Sequence, residues 1–233
     1  MTPPAARPSP RGFFITGTDT GVGKTLLTCA LLHAYADQGK RVVGMKPVAA
    51  GGVRHPGGLI NDDVTQLRAA SNVDAALTQI NPYCFEAPIA PHLAAEQSGI
   101  VIDLATIFSA FEQLAASADL VVVEGVGGFC VPLNNSEDSA DLAQRLGLPV
   151  ILVVGMRLGC LNHALLTADA IRANGLACAG WIANRLDPAM ALADRNVAAL
   201  AERLPMPLLG DVEFTSVPDP KRIVRRLTLP DFV

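Results

Sequence analysis

Apolar residues recur along the chain in short unbroken runs, separated by stretches with helical spacing. The runs at 13–16, 41–45, 120–123, 150–154 and 177–183 read as strands, and 208–210 starts a sixth. Those at 120–123 and 150–154 are continuously apolar, as parallel sheets buried on both faces require. Helical spacing is found at 24–38, 62–71, 103–117, 138–146, 162–174 and 189–203, with Gly39 as the stop of the first helix. Strand–helix alternation predicts an α/β fold: one doubly wound, mostly parallel sheet with helices on both faces and right-handed crossovers. The expected organisation is a single domain over 12–233, after a flexible Pro-rich leader at 1–11. Residues 47–99 break the rhythm, being rich in Gly, Pro and Asn with one convincing helix, at 62–71. A long irregular segment in such a fold is usually functional and belongs at the carboxyl ends of the strands, where open α/β sheets bind ligands.

Composition narrows the classes. Half of the 233 residues are hydrophobic and 17% are charged, enough apolar material for a core. The net charge of -4 argues against a surface built for nucleic-acid phosphates. One basic stretch, Lys221 to Arg226, reads as a solvated face. The longest apolar run, 148–156, falls short of the roughly 18–20 residues of a spanning helix, and the first ten residues lack the apolar segment of a secretory signal. The 5 cysteines show no C-x-x-C pair and read as reduced packing residues, so the expectation is a cytoplasmic protein without membrane or nucleic-acid partners.

Gly17-Thr-Asp-Thr-Gly21-Val-Gly23-Lys24-Thr25 follows a strand and opens a helix, the context of a P-loop. Its glycines let backbone N–H groups turn toward phosphate oxygens, Lys24 reaches the β/γ phosphates, and the Thr25 hydroxyl suits Mg²⁺. The usual spacing has glycine at position 18; here Thr18 stands there and Gly17 comes one residue early. The motif specifies a nucleoside triphosphate site in a P-loop NTPase type of fold, but no reaction. Lys46 ends the second strand and points its charge into the ligand crevice. Asp62 and Asp63 precede a helix and suit either a cap or a ligand role. Glu124 ends the third strand before Gly125-Val126-Gly127-Gly128, a place for a Mg²⁺ ligand with glycines that admit a close ligand.

Together with Lys46-Pro-Val-Ala49, Val123-Glu-Gly-Val-Gly-Gly128, Leu158-Gly-Cys-Leu-Asn-His163, Gly180-Trp-Ile-Ala-Asn184 and Pro205-Met-Pro-Leu-Leu-Gly-Asp211, the P-loop makes the chain resemble dethiobiotin synthases from Phe13 to about Asp211. The resemblance implies an ATP-dependent cyclo-ligase of biotin biosynthesis that joins CO₂, or bicarbonate as its source, to 7,8-diaminononanoate. The products are dethiobiotin, ADP and phosphate. Lys46, with Lys24, is implied as catalytic. Thr25, Asp63 and Glu124 are implied as Mg²⁺ ligands. Nucleotide contacts are implied at Gly21, Val22, Gly23, Lys24, Thr25, Leu26, Asp63, Glu124, Gly125, Val126, Gly127, Asn184, Arg185, Pro205, Met206, Pro207 and Asp211. Substrate contacts are implied at Thr20, Lys46, Ala50, Gly127, Leu158, Cys160 and Asn162, the last three reaching the neighbouring subunit of a homodimer with shared active sites.

Two positions depart from the family pattern. Ala50 stands where many members carry Ser or Thr and cannot donate a hydrogen bond, and Arg185 stands where several carry Asp. His33, His55 and His92 show no metal-ligand spacing and read as surface or capping residues, while Trp181 is expected in the core. Two further P-loop readings stay open, a partition-type ATPase switch and a related amidoligase. The switch would usually show a second lysine early in the loop, where this chain has Thr18-Asp19-Thr20.

Overall fold

All six anticipated runs form strands of one sheet in the computed structural model, which describes residues 12–231. The anticipated leader lies outside them. In chain order the principal elements are β1 (Gly12–Gly17), α1 (Lys24–Asp37), β2 (Val42–Met45), β3 (Val48–Ala50), β4 (Val53–His55), β5 (Gly58–Ile60), α2 (Asp62–Ala70), α3 (Leu77–Ile80), β6 (Tyr83–Phe85) and α4 (Pro91–Gln97). They continue as α5 (Leu104–Ser117), β7 (Leu120–Glu124), α6 (Ser139–Leu146), β8 (Val150–Met156), α7 (Cys160–Ala173), β9 (Cys178–Arg185), α8 (Ala193–Arg203), β10 (Leu208–Val212) and α9 (Pro220–Ile223). The central sheet has the order β10-β9-β8-β1-β7-β2, and every pair in it is parallel. The order steps out from β1 in both directions, so the loop after β1 opens at a topological switch point.

Alternation along the strands divides the core. Phe13 and Ile15 of β1 join Leu27, Leu31 and Tyr35 of α1 on one face, with Val122 and Val153. Phe14, between them, joins Val121, Val123 and the α5 residues Ile107, Phe111 and Leu114 on the other. Farther along the sheet, Leu152, Val154 and Met156 pack with Trp181 against Ala164 and Ala168 of α7 and Leu200 of α8. Trp181, Phe14 and Leu27 are fully buried, each side chain adding about 1.5–3 kcal/mol relative to an exposed position.

Segment 47–99 is more ordered than its composition suggests. Besides α2 it contains α3, α4, the parallel pair β3–β6 and the antiparallel hairpin β4–β5. These elements are three to seven residues long, too short for a periodic pattern to declare itself. The last helix before β10 begins at Ala193 rather than 189, because Ala189 N–H is turned onto the Asp187 carboxylate in a local turn.

The four basic residues of the stretch are exposed, as a solvated face requires, but the stretch is also anchored to the core. Its Ile223 is buried against α1-side residues, and the chain returns along β10 through an antiparallel bridge, Gly210 with Leu227. The Thr228 N–H donates to the Leu209 carbonyl at 2.7 Å, and the Tyr35 hydroxyl to the Pro230 carbonyl at 2.5 Å. No helix among the described residues is long and apolar enough to cross a membrane.

Candidate active site

Because the six strands are parallel, their carboxyl ends share one edge of the sheet. That edge brings together the loop after Gly17, Lys46 after β2, Glu124 at the end of β7, Arg157 after β8 and Asn184 near the end of β9. Gly23 caps α1 with φ of 92°, and a Cβ there would lie 2.2 Å from Asn184 Nδ2. Glycine meets both the left-handed backbone and the close approach. Asn184, itself buried, donates its side-chain amide to the Val22 carbonyl at 2.8 Å, holding the phosphate loop from beneath.

Lys24 lies across the mouth of the loop, with Nζ 2.9 Å from the Asp19 carbonyl and 2.5 Å from that of Gly127. Burial, and secondarily the charge of Lys46, lower its pKa to about 8. The Thr25 hydroxyl donates to Glu124 Oε1 at 2.9 Å. Lys46 Nζ stands between two carboxylates, 2.5 Å from Glu124 Oε1 and 3.0 Å from Asp63 Oδ2. Burial alone would pull Lys46 down, but the two acids outweigh it and hold the ammonium above its ordinary pKa. Asp63 mirrors this: burial pushes it up, but the charge and hydrogen bond of Lys46, with the Thr25 hydroxyl and the charge of Lys24, together reverse the effect and hold its carboxyl below the usual range.

Of the two readings open for Asp62 and Asp63, capping is ruled out. The cap of α2 is the preceding Asn61, whose side chain accepts the Asp63 N–H and donates to the Ala50 carbonyl at 3.0 Å. Asp63 is left free to face Lys46, and Ala50 is tied to the same corner. The Thr20 hydroxyl faces Gly127, 3.6 Å from where a Cβ of that residue would lie.

Thr25, Asp63 and Glu124 offer hard oxygen donors on one side of Lys24. Glu124 Oε2 is buried with no hydrogen-bond partner, although its residue is only 1% exposed. A buried carboxylate oxygen left open in this way suits a cation. Among the described residues there is no group of three or more His, Cys, Asp and Glu side chains able to hold a metal alone. Two carboxylates and a hydroxyl are a donor set that fits Mg²⁺, which uses one or two carboxylates and completes its sphere with water and phosphate oxygens.

Beside the phosphate loop lies a cavity of about 570 Å³, lined by Gly23, Leu26, Asn184 and Arg185 on one side and by Phe214, Thr215, Asp219, Arg222 and Arg226 on the other. Here the residues carried over by resemblance need correction. Pro205, Met206 and Pro207 do not line it. The Pro207 carbonyl accepts the Trp181 N–H at 2.9 Å, three residues before Asn184, and Met206 is buried in the core beneath α8. They precede β10 at the amino edge of the sheet, roughly a strand's length from the loops.

Asp211 lies within β10, opposite Ala183. Its carboxylate receives Arg185 Nε at 2.9 Å and Nη2 at 2.5 Å, and Nη2 also reaches Asp194 at 2.7 Å. It shapes the cavity through Arg185. This wall lies beyond Asp211, where the resemblance ends; its signal in the sequence is that residues after the last strand must emerge at the ligand edge. The Cys160 thiol is buried among Leu152, Val154 and Ala164, so this residue offers its backbone rather than its side chain at the start of α7. Leu158, 97% exposed, and Asn162 face away from the core.

This fold and edge define a P-loop nucleotide-binding protein, and an AAA domain family model matches residues 11–222. Among solved structures, the MinD cell division protein of Aquifex aeolicus shares the fold at a TM-score of 0.52, with 17% identity, over 91% of this chain and 84% of that one. Sequence similarity is far closer to two curated proteins, each named ATP-dependent dethiobiotin synthetase BioD. That of Aromatoleum aromaticum is 57% identical over 221 residues, covering 95% of this chain and 98% of the relative. That of Nitrosospira multiformis is 60% identical over 200 residues, covering 86% and 87%. The chain belongs to the ATP-dependent dethiobiotin synthetase family, a family of ligases. The partition-type switch and the amidoligase are not favoured, since the likeness to MinD is one of fold.

Proposed function

We propose that the protein closes the ureido ring of dethiobiotin from 7,8-diaminononanoate and CO₂, at the expense of ATP, as a cytoplasmic enzyme of biotin biosynthesis. The observation that carries this reading is the cluster beside the phosphate loop in which buried Lys46 and Glu124 meet half-buried Asp63 and Thr25. An amine that has taken up CO₂ is a carbamate, an anion that needs a fixed cation. Lys46, held charged by its two carboxylates, supplies one without the cost of reorganisation. Lys24 supplies another where the γ-phosphate lies. The carbamate oxygen attacks the γ-phosphorus and displaces ADP, giving a mixed carbamic–phosphoric anhydride; the second amine then attacks its carbonyl carbon, gives up a proton and expels inorganic phosphate as the ring closes. Positioning and charge neutralisation carry these steps, with no need of a Ser–His–Asp set.

Thr25, Asp63 and Glu124 would hold Mg²⁺, which neutralises phosphate charge when bound. The base of the nucleotide fits the cavity between Asn184 and Phe214, where one edge offers an amide and one wall an aromatic ring. Thr20, Gly127 and Ala50 border the diamine. Leu158 and Asn162, directed outward, are suited to a neighbouring subunit, so the active form is a homodimer with shared sites. The deciding experiment follows ADP release with diamine, bicarbonate or both. Release that requires both supports the reading; release that ignores the diamine refutes it.

A further inference from the structure

The departure at Thr18, where a glycine is usual, has a structural counterpart. After β1 ends at Gly17, the phosphate loop continues to bond with β8. The Thr18 N–H donates to the Val153 carbonyl at 3.0 Å, and the Gly155 N–H donates to the Thr18 hydroxyl at 3.3 Å. Two residues further on, Arg157 Nη2 pairs with Asp19 Oδ2. Residues 153, 155 and 157 alternate along this side of the chain, and the middle contact of that seam needs a side chain at position 18, which a glycine lacks. Asp19 is also the hub of the loop's first half. Its Oδ1 accepts the Thr20 N–H at 2.7 Å, and its carbonyl accepts Lys24 Nζ. At the other end of the seam, the Arg157 carbonyl accepts the Cys160 N–H at 3.0 Å, fixing the turn that opens α7.

We propose that Arg157 is a positioning residue, and that its ion pair with Asp19 transmits occupancy of the phosphate loop to residues 157–163. Both side chains are 45% exposed, and half-exposed ion pairs add little to global stability. A purely structural role therefore predicts almost no effect of breaking the pair. Coupling predicts a specific one. When phosphates draw Lys24 off the Asp19 carbonyl, Asp19 can shift, and Arg157 carries the shift to the start of α7. Since Leu158 and Asn162 in this segment are assigned above to the diamine site shared with a neighbouring subunit, the kinetic consequence rests on that reading; the coupling itself does not.

Hydrogen exchange with and without saturating ADP and Mg²⁺ tests it. In the unaltered protein ADP should slow exchange about tenfold or more at 18–23 and severalfold at 157–163. In Arg157→Ala the protection at 18–23 should remain, while that at 157–163 is lost, with a melting temperature within about 4 °C of the parent. Asp19→Asn should do the same, the double variant should do no more than either single one, and Arg157→Lys should retain part of the effect. Unchanged protection at 157–163 in Arg157→Ala, or none there in the unaltered protein, overturns the proposal. In turnover assays Arg157→Ala should lower kcat/KM for the diamine about tenfold and leave KM for ATP within about threefold. Absence of turnover in the unaltered protein would defeat the functional reading, and the exchange data would still decide the coupling.

Discussion

The pH dependence of nucleotide affinity follows from the burial of Lys24. Its pKa of about 8, against an ordinary 10.5, is set first by burial and next by the charge of Lys46. In the free protein Lys24 is then about nine-tenths protonated at pH 7 and about one-tenth protonated at pH 9. Only the charged form can pair with the β/γ phosphates, so affinity is intact below pH 8 and declines as pH rises through it. If binding requires the proton, the apparent Kd for ADP with Mg²⁺ increases about tenfold between pH 7 and pH 9, whereas a lysine of ordinary pKa would change it by less than about a tenth.

Calorimetric titration at half-unit steps of pH measures this directly. Repeating it in two buffers of different ionisation enthalpy should show proton uptake on binding, about half a proton per site at pH 8. Lys24→Ala should bind weakly at every pH and show neither the slope nor the uptake. Lys46→Gln should move the midpoint upward, because it removes a neighbouring cation and leaves Asp63 and Glu124 unneutralised beside Lys24. A flat Kd from pH 7 to 9, or a slope that survives in Lys24→Ala, would refute the reasoning.

Further outcomes follow from the same geometry. Lys46→Gln should lower kcat at least about tenfold with ADP binding at pH 7 changed less than threefold, while Asp63→Asn and Glu124→Gln should raise the Mg²⁺ concentration for half-maximal rate; a Mg²⁺ profile unaltered in both acid variants removes them from the metal site. Asn184→Ala should narrow the preference for ATP over GTP and CTP about tenfold, one bidentate contact being worth roughly 1–3 kcal/mol, and Phe214→Ala should weaken all three nucleotides alike in kcat/KM measurements. Light scattering at assay concentration should find a dimer, with Asn162→Ala raising KM for the diamine alone; an active monomer would rule out shared sites.

The residues alone determined the α/β class, the six strands and the phosphate loop, because these depend on local pattern. Continuous apolar runs at 120–123 and 150–154 can only be buried on both faces, and Gly-Lys-Thr between a strand and a helix has one common use. Lys46 and Glu124 were legible for a related reason: one directly follows a strand and the other ends one, and parallel strand ends share an edge. Tertiary structure decided what depends on partners distant in sequence. It placed Lys46 between Asp63 and Glu124, and it gave Thr18 a bonding partner in β8, 137 positions away. Pro205 to Pro207 and Glu213 to Thr215 flank the same short strand, yet only the latter group reaches the cavity, because β10 carries the chain from one edge of the sheet to the other. Motif matching recognises the strand, but the direction in which it runs through the sheet decides which of its ends meets the nucleotide.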